Sequence, residues 1–93
     1  MAAVTTLNVR PVDPRDQRWE VWEPAYRVHF WRRGQGGGYA SREFEVSGGD
    51  VRDVLLWADR NASEDETYTL YAAASTAGGL RTIRLAGDDP TRN

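Results

Sequence analysis

Residues 25–46 alternate in polarity on both sides of a glycine run, and that pattern constrains this chain more than any other. In Ala25-Tyr26-Arg27-Val28-His29-Phe30-Trp31-Arg32, Tyr26, Val28 and Phe30 alternate with Arg27, His29 and Trp31. A period of two marks a strand with one buried face. After the turn Arg33-Gly34-Gln35-Gly36-Gly37-Gly38, the stretch Tyr39 to Val46 repeats the pattern, with Phe44 and Val46 set against Glu43 and Glu45. The two predict a hairpin. Centring the turn on Gly36 pairs Tyr26 with Val46 and Val28 with Phe44 on one face. On the other face it pairs Arg27 with Glu45, His29 with Glu43 and Trp31 with Ser41. A two-residue slip would keep the same faces, but this register satisfies both at once.

Asp50 then opens a helix as its N-cap, with the charge of Asp53 near the positive end. Val51, Val54, Leu55 and Ala58 form one apolar stripe, with Trp57 beside it and Leu56 further round. Arg60-Asn61 closes it, with Asn61 predicted as a left-handed terminator. Thr67 to Ala73 and Leu80 to Leu85 read as strands about a flexible turn at Ser75 to Gly79, pairing Leu70 with Ile83 and Tyr68 with Leu85. Thr6 to Arg10 reads as a short opening strand, ended by Pro11 and Pro14. Trp19 to Glu23 reads as a brief extended piece. The expectation is an α+β fold, an antiparallel sheet of about five strands packed on one helix in the order β-β-β-α-β-β. Val28, Phe44, Leu55, Leu70 and Ile83 are expected to be buried together.

The 93 residues suit one domain, since domains run roughly 50–250 residues. The ordered core is expected over about residues 5–87, with a fraying polar tail at 88–93. No apolar run approaches the roughly 20 residues of a membrane span, and the first residues lack a secretory pattern. With no Cys, disulfides and thiol chemistry are excluded, and a cytoplasmic location is the default. Every basic residue is Arg, which GC-rich coding would produce without selection. The net charge of -2 argues against bulk nucleic-acid binding. Charge is uneven, however: residues 1–42 carry +3 and residues 43–93 carry -5.

His29 is the only histidine. With Glu43 and Ser41 it mimics a base, an orienting group and a nucleophile, but a flat strand face offers no strained elbow or oxyanion hole. A surface His–Glu pair is the plainer reading, and no catalytic residue is assigned. No metal spacing is visible and no cofactor is expected. The glycine run fits no phosphate loop, because it joins two strands and no Lys-Ser/Thr follows. Arg32 and Arg33 beside this pliable tip are candidate contacts for an anionic ligand or single-stranded nucleic acid, drawing on residues 27–42. The richer set is the face away from the helix: Arg27, His29, Trp31, Tyr39, Ser41 and Glu43, with Glu45 and Tyr71 beside them. Trp, Tyr and Arg are enriched at interface hot spots. Such a face needs a cover, supplied either by Trp19 and Trp22 or by a second subunit.

Arg10-Pro11-Val12-Asp13-Pro14-Arg15-Asp16, Trp19-Glu20-Val21, Tyr26-Arg27-Val28 with Phe30-Trp31, Val54-Leu55-Leu56-Trp57-Ala58, and Arg84-Leu85-Ala86-Gly87 ahead of Asp89-Pro90-Thr91 resemble a group of short uncharacterised actinobacterial proteins. The resemblance implies a cytoplasmic bacterial protein and carries over no functional residue. The functional expectation is a binding or protein-interaction module, an accessory or immunity-type partner that engages a protein or a second copy as a homodimer. The alternative is an anionic-ligand or single-strand binder, and a small enzyme ranks third.

Overall fold

The computed structural model describes residues 6–16 and 24–92. The chain order is β1 (Ala25–Arg33), β2 (Tyr39–Val46), α1 (Val51–Asn61), β3 (Glu66–Thr76) and β4 (Gly79–Ala86), preceded by one 3-10 turn at Pro14–Asp16. The strands form one antiparallel sheet in the order β2-β1-β3-β4, with α1 on one face. The fold is α+β, as expected, but the described residues form four strands in the order β-β-α-β-β. The opening strand is absent because Thr6 to Pro11 is exposed coil that no sheet edge meets. Pro11 and Pro14 also withhold amide donors there. The expected extended piece at Trp19 to Glu23 lies outside the described residues.

The first hairpin has the predicted register, from Tyr26↔Val46 through Trp31↔Ser41 to Arg33↔Tyr39. Its tip closes through the Gly34 amide donating to Gly38 O at 2.7 Å, with Gly37 at φ +88°. The second hairpin differs from expectation, since Leu70 faces Ala86 and Ala72 faces Ile83. The reason is the turn. The strands continue to Thr76 and Gly79, leaving a tight loop of Ala77 and Gly78, and the ladder shifts between Leu70 and Tyr71. The pairing therefore slips by two residues in the body of the hairpin, which preserves the facing of the side chains there, and beyond the shift Ala86 takes the helix-side place expected for Leu85.

Asp50 accepts from the Arg52 and Asp53 amides, and Asp53 reaches back to the Asp50 amide at 2.9 Å, completing a capping box. The left-handed terminator is not formed. Asn61 is the last helical residue, its side chain donates to Trp57 O at 2.8 Å, and Ala62 caps the helix in extended geometry. Tyr26, Val28, Phe30, Val54, Ala58 and Leu70 form the core, with Leu55, Trp57 and Tyr68 packed around it. Of the five residues expected together, Val28 and Leu70 are fully buried and Leu55 is half-buried, while Phe44 and Ile83 are exposed. The core centres on β1 and β3, whereas Phe44 and Ile83 ride the two edge strands.

One polar cluster seals the helix-side rim. Arg42 donates to Glu66 through Nε at 3.0 Å and Nη2 at 2.7 Å, and to Asn61 O at 3.1 Å. Its guanidinium lies 4.8 Å from the Phe30 ring centroid, a cation–π contact. The Glu66 side chain is only 2% exposed. Arg42, and after it the Ser63 amide, hold the Glu66 carboxyl down to about 2 from an ordinary 4.5. The folded value lies below the unfolded one, so this contribution is complete above pH 4.5 and fades as the pH falls towards 2. Denaturation midpoints should therefore drop across that window, and more gently in Glu66→Gln. Equal slopes in both proteins would remove Glu66 as the source.

Candidate functional site

The period of two sends Arg27, His29 and Trp31 of β1 to the face away from α1. Their cross-strand neighbours on that face are Glu45, Glu43 and Ser41 of β2, and Tyr71, Thr69 and Thr67 of β3. His29 Nε2 lies 3.2 Å from Glu43, and Arg27 lies 3.6 Å from Glu45. The Arg27 Nε is buried with no partner among the described residues. The His29 ring packs against Tyr71 at 4.9 Å and edge-on to Trp31 at 5.8 Å. Ser41 pairs with Trp31, one step along the face from Glu43, and makes no side-chain hydrogen bond to His29. Tyr39 sits at the far end of the hairpin opposite Arg33, exposed.

Trp31 does not take the exposed role expected of it. It is 9% exposed, and its indole N–H donates to Thr69 Oγ1 at 2.9 Å. The fully buried Thr69 hydroxyl donates in turn to Asp88 O at 2.7 Å. The residues after Gly87, expected to fray, thus run back over the outer face. Gly87 permits this reversal: its φ is +77°, and a Cβ there would run into the Tyr68 carbonyl oxygen. Arg84 clamps the same point, donating from Nη1 to Gly87 O at 2.7 Å. Asp89 then accepts from the Thr91 amide and hydroxyl, forming a local turn. The proposed cover by Trp19 and Trp22 lies outside the described residues.

Between this segment and the strands lies an open cleft of about 720 Å³. His29 and Tyr71 form an aromatic wall, Thr82 and Arg84 come from β4, and Asp88, Asp89 and Arg92 come from the returning segment. Two cations thus face two carboxylates. The Thr91 hydroxyl, then its amide, hold the Asp89 carboxyl below the usual range, with smaller pulls from His29 and Arg92. Asp88 and Arg92 make no ion pair, and the Tyr71 and Thr82 hydroxyls no hydrogen bond, among the described residues. The described residues contain no group of His, Cys, Asp or Glu arranged to hold a metal ion.

The cations of residues 27–42 are largely engaged. Arg27 meets Glu45, Arg42 meets Glu66, and Arg32 meets Asp65 at 2.9 Å. Of the arginines in residues 27–42, Arg33 alone has no acid partner among the described residues. The sheet also ends differently at its two edges. β2 carries Arg42, Glu43 and Glu45 close together, the mixed charge that blunts a sheet edge. β4 carries Leu80, Ile83 and Leu85 at 47, 60 and 46% exposure, with only Arg81 and Arg84 as charges.

No protein family, curated protein or solved structure matches this chain. No helix among the described residues is long and apolar enough to cross a membrane. Sequence reading missed Thr82, Arg84, Asp88, Asp89 and Arg92. Alternation along β4 already groups Thr82 with Arg84, and Gly87 before Asp88-Asp89-Pro90 is a turn signal. Neither could indicate that the turn folds onto β1.

Proposed function

We propose that this protein is a protein-interaction module that accepts an extended segment of a partner along the outer edge of β4. The observation that carries this reading is an edge strand that leaves three large aliphatic side chains exposed. Unpaired backbone donors and acceptors on such an edge supply affinity, and side chains on alternate faces supply selectivity. Arg81 and Ile83 lie on the helix side, while Leu80, Thr82 and Arg84 lie on the other. A complementary strand therefore alternates acidic and aliphatic residues on each of its own faces. A second copy fits less well, because β4 holds no acid to answer Arg81 and Arg84. The anionic-ligand alternative loses support from the engagement of Arg27, Arg32 and Arg42.

A peptide centred on Glu-Val-Thr-Glu-Val, laid antiparallel to residues 80–84, sets a Glu against each Arg. It should bind the parent protein, and Ile83→Lys should abolish that binding. Arg81→Glu should weaken it about fivefold, and a peptide with Lys opposite position 81 should recover the loss. Equal binding of a scrambled peptide, or no rescue by the charge swap, would overturn the reading. Dimerisation through β4 in light scattering would replace the partner strand with a second copy.

A further inference from the structure

We infer that the outer-face cleft is a binding site for a free α-amino acid with a flat side chain, beside the β4 edge, with which it shares Thr82 and Arg84. Its volume of about 720 Å³ falls within the roughly 300–1,000 Å³ usual for small-molecule sites. The wall is built and not merely draped. Thr69 of β3, itself held by Trp31 of β1, bonds Asp88, Arg84 of β4 bonds Gly87, and the Asp89–Thr91 turn fixes the segment's own shape. Within that frame the groups left unengaged among the described residues converge on one space. They are the Asp88 carboxylate, the Arg92 guanidinium and the Tyr71 and Thr82 hydroxyls.

The charge balance selects the ligand. A simple anion drawn by Arg84 and Arg92 would also meet Asp88 and Asp89, and a simple cation would meet both arginines. A zwitterion answers both pairs, with its carboxylate on the guanidinium side and its ammonium on the carboxylate side. The rings of His29 and Tyr71, 4.9 Å apart, offer a surface for a planar side chain, to which an ammonium-bearing ligand adds cation–π attraction. His29 Nε2 is directed at Glu43, and the ring enters this proposal only through its aromatic surface.

Three probes of one shape separate the contributions: L-phenylalanine, 3-phenylpropionate without the ammonium, and phenethylamine without the carboxylate. Titrations followed by amide NMR should show L-phenylalanine perturbing Tyr71, Thr82 and Asp88. Each one-ended analogue should bind roughly tenfold or more weakly. Asp88→Asn should weaken L-phenylalanine and phenethylamine but spare 3-phenylpropionate, and Arg92→Gln should weaken L-phenylalanine and 3-phenylpropionate but spare phenethylamine. Neither side chain has a hydrogen-bond partner among the described residues, and a preserved Trp31 indole resonance would verify each variant's fold. Ile83→Lys, whose change lies on the helix side, should leave amino-acid binding intact, so failure of the edge reading leaves this one standing. Equal affinity for all three probes, no saturation with L-phenylalanine in the millimolar range, or variants without the crossed pattern would overturn it.

Discussion

Replacing Gly87 with Ala is expected to lower stability by about 2–5 kcal/mol and to release the segment that covers Trp31. Two penalties combine. An L-residue held near φ +77° costs about 1–2 kcal/mol, and forcing a methyl into a filled space costs about 1–3 kcal/mol more. Here the space is filled by backbone, the Tyr68 carbonyl and Thr69 Cα, which cannot rotate aside as a side chain can. For a chain of 93 residues the melting temperature should fall by about 10–25 °C. The Trp31 indole proton should lose its protection from solvent exchange, because Thr69 would no longer be tied to Asp88. Amino-acid binding in the cleft should go with it. Gly36→Ala is the control: Gly36 has open space around its Cβ position and no positive φ, so that variant should melt as the parent does. An unchanged melting temperature and undiminished Trp31 protection in Gly87→Ala would mean that the segment contributes nothing to the cover.

Phe30→Ala should be the most damaging core substitution, costing about 3–5 kcal/mol. Phe30 is fully buried on the central strand. It meets Phe44 at 5.8 Å, Trp57 at 5.7 Å and Tyr68 at 6.1 Å, with the Arg42 guanidinium over its ring. Its removal therefore unsupports both edges of the helix-side cluster and leaves a cavity that β1, paired on both sides, cannot collapse to fill. Against a typical total stability of about 5–15 kcal/mol, such a loss leaves little margin. Leu55→Ala should cost clearly less, since Leu55 is half-buried and its neighbours can close partly over the gap. Urea unfolding of the two variants beside the parent gives the comparison. Equal losses would shift the centre of the core from β1 towards the helix.

The two proposed sites, the edge and the cleft, lie side by side on one small sheet. Arg84 stands between them, a β4 residue whose guanidinium holds Gly87 and borders the cleft. A partner strand along β4 would lie next to the cleft mouth, so ligand occupancy and partner affinity can be measured against each other in the same titration.

Local pattern was sufficient for the first hairpin and the helix. In residues 25–46 each face carries its own complementary pairs, so the register follows from composition and the Gly36-centred turn. Asp50 and Asp53 mark the helix start three residues apart, a capping interaction entirely local in the chain. Alternation in β3 and β4 was equally clear, but a two-residue slip there preserves every facing, and only the tight Ala77-Gly78 turn and the shift near Leu70 select among registers. Likewise, alternation assigned Trp31 correctly to the outer face without revealing what lies on top of it. Its hydrogen-bond partner Thr69 is 38 positions away, and Thr69 reaches Asp88 another 19 positions on. The period of two determines which way a side chain points. Whether that direction ends in solvent, in a cleft or under a returning segment is decided by contacts between residues distant in the chain, and these exist only once the sheet has assembled.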